Sequence, residues 1–314
     1  MSKATRQAFG EALAKLGETH PEIVVLDADL AKSTKSEIFA RKFPNRFFEM
    51  GISEANMIGA AAGMSFVGKI PFACSFGAFI TGRYDTIRLS VVYADANVRL
   101  VGTHAGVGIG DDGHSQMGLE DIAIMKALPN MGVFQPMDAR ETELLMDYLV
   151  SEWKGPAYLR LTRQNVPDLY PAGAPTKFDP TKLMQVGGAQ GRVDVVCVAT
   201  GATVTEAVQA AEALKAKGVS VSVWNACSLK PFDEATTQKV AQGAKLFVTI
   251  EDHSVVGGLG TCVAEAFAQM SAHPKLIKLG IQDTFGESGE GFELYDKHGI
   301  SAQEITKRIA REIL

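Results

Sequence analysis

Short, unbroken apolar runs alternate with amphipathic stretches along almost the whole chain, and this alternation limits the fold more than any other feature. Glu22 to Asp27 (EIVVLD), Pro71 to Ser75, Val98 to Gly102, Gly132 to Gln135 and Ala157 to Leu161 each read as a strand apolar on both faces. Helical patterns run from Ala4 to Leu16, Gly82 to Tyr93, Leu119 to Leu128 and Ala139 to Ser151. Strands of this kind belong in a parallel sheet covered by helices on both faces. From about Leu169 the pattern lapses into LYPAGAPTKFDPTK, rich in Pro and Gly, which reads as an interdomain linker. A second alternation follows, with strands at Val193 to Ala199, Val219 to Trp224, Leu246 to Ile250 and Leu276 to Leu279, and a helix over Ala202 to Lys217. The last helix starts at Ser301, with Glu304 placed to complete a capping box. The expectation is an α/β chain of two domains, each a mostly parallel sheet flanked by helices: residues 1–168, a linker over 169–190, and residues 191–314.

The totals narrow the function classes. Net charge is -5, with no basic stripe, which argues against nucleic acid as a partner. No apolar run approaches the roughly 20 residues of a membrane span, and the N-terminal stretch lacks a signal-peptide core. The expected compartment is the cytoplasm. Cys74, Cys197, Cys227 and Cys262 are scattered without Cys-x-x-Cys spacing, so they read as buried free thiols and not as a zinc or disulfide framework.

The stretch Phe47 to Gly63 (FFEMGISEANMIGAAAG) reads as a short buried strand, a turn through Gly51 and a helix of small residues. Ala55, Gly59, Ala60, Ala62 and Gly63 leave that helix almost without bulk, so another backbone can approach it closely. Glu54 sits at the join. Either it is an exposed acid favouring the helix dipole, or it is a buried catalytic carboxyl, whose charged form desolvation disfavours.

Further candidates fall where parallel strands deliver their C-terminal loops, the edge at which ligands gather in open α/β sheets. Phe76 and Phe79 (SFGAF) read either as core aromatics or as a stacking pair for a flat heterocycle. Thr103 to Glu120 (THAGVGIGDDGHSQMGLE) places five glycines, two aspartates and two histidines in one loop. Such a loop turns backbone amides toward a ligand, and Asp111, Asp112, His104 and His114 could hydrogen-bond a polyol. Its spacing suits no metal. Arg6, Arg83, Arg88, Arg160 and Arg163 are candidate anion binders. There is neither a P-loop nor a Gly-x-Gly-x-x-Gly between strand and helix.

Taken in order, GISEANMIG, SFGAF, THAGVGIGDDG, ALPNMGVFQP and LTRQN resemble the second half of transketolase, over essentially the whole chain. The resemblance implies the pyrimidine-binding half of a thiamine diphosphate-binding fold, followed by the family's C-terminal domain. It implies that Glu54 hydrogen-bonds the aminopyrimidine ring and exchanges a proton with it. It implies that Phe76 and Phe79 pack on that ring and that Asp29 lies on the thiazolium side. Arg6, Ser33, His104 and Arg163 match the grip on a sugar phosphate, with His104 also placed at the reacting centre, and Asp112 matches the reader of a substrate hydroxyl.

Two departures from the family pattern stand out. The family's substrate-facing histidine falls on Gln116, with His114 two positions earlier, so either side chain could face the substrate. No Gly-Asp-Gly segment with its downstream Asn is present to hold the diphosphate and Mg2+. The expectation is therefore one subunit of a split transketolase, associating with itself and with a separate diphosphate-binding N-terminal-half subunit, as a heterotetramer acting on sugar phosphates. Two alternatives stand beside it: the beta subunit of the decarboxylating component of a 2-oxoacid dehydrogenase, and a non-catalytic assembly module. The C-terminal domain shows no chemical constellation; Glu251 and His253 in IEDHS read as structural or interface residues.

Overall fold

A computed structural model describes residues 2–170 and 178–314. In chain order its strands are β1 (Ser2–Ala4), β2 (Ile23–Asp27), β3 (Phe47–Glu49), β4 (Ile70–Phe76), β5 (Arg99–Thr103), β6 (Gly132–Phe134), β7 (Ala157–Arg160) and β8 (Asn165–Pro167). They continue with β9 (Met184–Gly188), β10 (Val195–Ala199), β11 (Val221–Asn225), β12 (Ser228–Lys230), β13 (Leu246–Ser254) and β14 (Lys275–Ile281). The first large sheet has the order β12-β6-β7-β5-β4-β2-β3, parallel except where β12 meets β6. The second has the order β14-β13-β10-β11-β9, parallel except where β9 meets β11. A small antiparallel pair, β1 with β8, closes the first domain beside its N-terminal helix Thr5–Leu16. The expected α/β architecture of two mostly parallel sheets is what the chain forms.

The central strands β2, β4, β5, β7, β10 and β13 bury nearly every residue on both faces. That explains why they read as unbroken apolar runs. All four cysteines are free and buried, as expected.

Several expectations need correction. β3 is not a buried strand: it is the edge of its sheet, with Phe48 and Glu49 exposed. The single helix expected from Gly82 to Tyr93 is broken into a helix Tyr84–Thr86 and a π-helical stretch Ile87–Val92, preceded by a helix Gly77–Thr81. Ser301 caps the last helix by accepting from the Glu304 amide, but the Glu304 carboxylate turns to Lys307, so the reciprocal arm of a capping box is not made. Residues 171–177 of the expected linker lie outside the described residues, and β9 occupies 184–188 of it. β12, from the second half of the chain, completes the first sheet and ties the two halves together.

Candidate active site

β2 ends in Asp27, whose buried carboxylate accepts from the Leu30 amide at 2.7 Å, Thr34 Oγ1 at 2.7 Å and Ser36 Oγ at 2.8 Å. Burial pushes its pKa up to about 6 in spite of those donors. Asp27 thereby shapes the loop that carries Asp29 and Ser33. Asp29 is exposed with φ of 63°, and its amide donates to Glu49 at 2.7 Å. Sequence reasoning missed Asp27; the signal was an aspartate closing a strand just ahead of Thr34 and Ser36.

The next strands bring most of the anticipated residues together. Phe76, the last residue of β4, stacks on Phe79 at 5.4 Å between ring centroids and on His104 at 3.9 Å. His104 follows β5 with φ of 58°, a strained angle for a residue other than glycine. Its Nε2 lies 3.0 Å from Arg6 Nη1, which also donates to the Ser33 carbonyl at 2.7 Å. Ser33 thus contributes a backbone oxygen here. Arg163 Nη1 donates to the Ile109 carbonyl at 2.6 Å and lies 4.0 Å from Asp112 Oδ2.

Arg6 and Arg163 line one cleft of about 580 Å³ with Ile109, Gly110 and, from the second domain, Glu206 and Tyr295. Arg6 is desolvated and feels Arg163, and both effects lower its pKa. Its buried Nε has no hydrogen-bond partner among the described residues. Two guanidiniums and an orphaned donor at one cleft make a site for an oxyanion.

His114 is exposed and Gln116 half-buried, and neither side chain has a hydrogen bond among the described residues. Asp111 is exposed as well. Glu54 lies in a different cavity, of about 400 Å³, with Ser53, Gly82 and Arg83. The buried reading of Glu54 holds: its side chain is 5% exposed although it opens the helix Glu54–Ser65, and Oε2 is 3.4 Å from Arg83 Nη2.

Two arginines are not anion binders here. Arg83 is the partner of Glu54. Arg160 is fully buried, with Nε on Asp121 Oδ2 at 2.7 Å and Nη2 on the Gly118 and Asp252 carbonyls. Arg88 is exposed and away from the cleft's lining. Asp121, Tyr158 and Arg160 form a buried cluster that reaches His253, whose Nε2 is 3.8 Å from Asp121. Glu251 accepts from the Leu259 and Gly260 amides. His253 and Glu251 are both buried.

With this geometry in place, comparison with known proteins is decisive. Residues 1–168 match the transketolase pyrimidine-binding domain and residues 189–305 the transketolase C-terminal domain. A putative transketolase C-terminal section of Methanocaldococcus jannaschii is 42% identical, over 99% of this chain and 96% of that protein. A 6-deoxy-6-sulfo-D-fructose transketolase subunit of a Clostridium species is 36% identical, over 98% and 94%. Human transketolase is 36% identical over 98% of this chain, but the match spans only 48% of that longer protein. Among solved structures, a split-gene transketolase described as an inactive β4 tetramer superposes with a TM-score of 0.88 at 41% identity, over 99% of this chain and 98% of that one.

The two domains in this order define the pyrimidine-binding side of an enzyme architecture built around thiamine diphosphate. The chain belongs to the transketolase family and corresponds to its C-terminal half.

Proposed function

We propose that this chain is the pyrimidine-side subunit of a split transketolase, moving a two-carbon ketol unit from a ketose phosphate to an aldose phosphate. The observation that carries the proposal is the cleft lined by Arg6 and Arg163, with His104 on Arg6 and stacked on Phe76 of the Phe76–Phe79 pair. A sugar phosphate needs such a grip; a 2-oxoacid does not, so the 2-oxoacid dehydrogenase alternative has no use for it.

The residues fit the pyrimidine end of thiamine diphosphate: a buried carboxyl facing a cavity, and a pair of stacked rings at the mouth of β4. Among the described residues no three His, Cys, Asp or Glu side chains gather to hold a metal. The sequence has no Gly-Asp-Gly segment with a downstream Asn, and we assign the diphosphate and Mg2+ to a separate N-terminal-half subunit. The bound cofactor would supply the carbanion chemistry of ketol transfer.

The chain's own residues then have defined tasks. Glu54 holds and returns a proton at a ring nitrogen, and displacing the long, half-exposed contact from Arg83 costs about 1 kcal/mol or less. Phe76 and Phe79 orient the ring. Arg6, Arg163 and His104 bind the phosphate end, and Asp112 accepts from a substrate hydroxyl. The Clostridium relative is named for a sulfosugar, and a sulfonate would suit the same cations, so the anion is a point for direct assay.

Titration calorimetry with thiamine diphosphate and Mg2+ on this chain alone is the first test. No binding, or only very weak binding, agrees with a half-site. Tight binding would overturn the division of labour. Mixed with the N-terminal-half subunit, the chain should convert xylulose 5-phosphate and ribose 5-phosphate; failure with those and with a sulfosugar would reject ketol transfer.

A further inference from the structure

Building on the transketolase reading, we infer that Asp252, contributed by the second domain, is a positioning residue for the substrate-anion grip. Asp252 lies on β13, but its carboxylate reaches into the glycine-rich loop of the first domain. Oδ1 accepts from the Val107 amide at 2.7 Å, and Oδ2 accepts from the Gly108 amide at 3.1 Å and the Tyr295 hydroxyl at 3.0 Å. Those two amides open the short 3-10 turn Val107–Ile109. The turn's last carbonyl, on Ile109, accepts from Arg163 Nη1 at 2.6 Å. The contacts therefore run without a gap from the Asp252 carboxylate through the turn to the Arg163 guanidinium.

The loop is built to receive this carboxylate. Gly106 has φ of +89°, and a Cβ there would stand 2.2 Å from Asp252 Oδ2. A Cβ at Gly110 would meet the Gly289 carbonyl at 3.1 Å, and one at Gly291 the Gly108 carbonyl at 3.1 Å. Backbone from the two domains thus meets with no side chain between. Arg160 secures the arrangement from behind, its Nη2 donating to the Asp252 carbonyl at 2.9 Å and to the Gly118 carbonyl at 3.0 Å. Asp252 is 3% exposed, and a charged acceptor with three donors in so dry a place is a strong anchor. The second domain adds no cation to the described lining of the cleft, yet through Asp252 it sets where Arg163 points.

Amide hydrogen exchange on the full chain, wild type against Asp252→Asn, tests this. The asparagine keeps the shape but turns one acceptor into a donor facing an N–H. Peptides spanning 104–117 should exchange about tenfold faster or more, while β10 and β14 keep their protection and the melting midpoint stays within a few degrees. Unchanged exchange over 104–117 overturns the inference. In the assembled enzyme, KM for ribose 5-phosphate should rise about tenfold with kcat nearly constant; a fall in kcat alone is the mark of lost folded enzyme and counts against positioning. Should Asp252→Asn fail to fold, Tyr295→Phe removes one donor to Asp252, together with the acceptor of Gln164 Nε2, without burying a new polar group. It should loosen the same segment to a smaller degree, and no loosening counts against the inference. If the wild-type complex transfers no ketol unit, the transketolase reading falls, and the exchange data still decide what Asp252 does.

Discussion

His104 works as a neutral ring. Burial, then the charges of Arg6, Arg163 and Lys35, push its pKa down to about 3. Arg6 can only donate, so Nε2 is the acceptor and Nδ1 carries the hydrogen toward Thr103 Oγ1, 2.8 Å away. An NMR titration should leave the His104 ring resonances flat from pH 8 to 5; a midpoint near the usual histidine value would contradict this. Because the folded pKa is depressed, the stability His104 contributes is complete above the unfolded value near 6.5. It falls by about 1.4 kcal/mol per unit as pH drops from there toward 3. Arg163→Ala removes a charged donor pair from the cleft. It should lower kcat/KM for a phosphorylated sugar about 10- to 100-fold, mostly through KM, as steady-state kinetics would report. Glu54→Gln should nearly abolish turnover and leave subunit binding intact in a pull-down; unchanged turnover would remove Glu54 from catalysis. These residues were visible in the sequence because each follows a strand or opens a helix. Ser33 was visible only as a serine, and its carbonyl became the useful atom once Arg6 reached it.

Among the elements, the helix Ala139–Ser151 shows how a single cap can serve two purposes. Asp138 Oδ1 accepts from the Glu141 amide at 2.8 Å, and Oδ2 accepts from the Leu169 and Tyr170 amides at 2.7 Å each. Asp138→Ala strands one buried and two part-buried donors and should destabilise the fold by about 1–3 kcal/mol, read as a lowered denaturation midpoint. A loss below about 1 kcal/mol would mean that water replaces the carboxylate. The doubly buried strands were legible, since they must be apolar at every position, whereas the short or edge strands β1, β8, β9 and β12 were not. The edge strand β3 was misread because FFE carries two aromatic residues whether or not a partner covers them. The helix expected over Gly82 to Tyr93 fragmented even though its periodicity is sound, for local pattern does not report where a turn widens to the π form.

Across the whole molecule, one surface points to further assembly. On the helix Glu54–Ser65, a Cβ at Gly59 or Gly63 would meet nothing within 4 Å. Beside this helix Ile52, Phe66 and Val67 are 83%, 61% and 76% exposed. We expect this face to carry self-association. Sedimentation velocity should show Gly63→Arg dissociating the wild-type oligomer; a wild-type monomer, or an unaltered variant, would dismiss the face. The sequence by itself determined the class of fold, the order of the doubly buried strands along the chain and, among the residues lining the cleft, Arg6, Arg163 and the glycine-rich loop. Those depend on periodicity, and on the rule that a parallel strand presents its C-terminal loop to a ligand. Only the tertiary structure decided which arginines are free to bind an anion. Arg160 and Arg163 are three residues apart, yet one is sealed against Asp121 and the other lines the cleft. Their partners come from segments 39 to 92 residues away, and Asp252, reaching across from the second domain, is invisible until those segments meet.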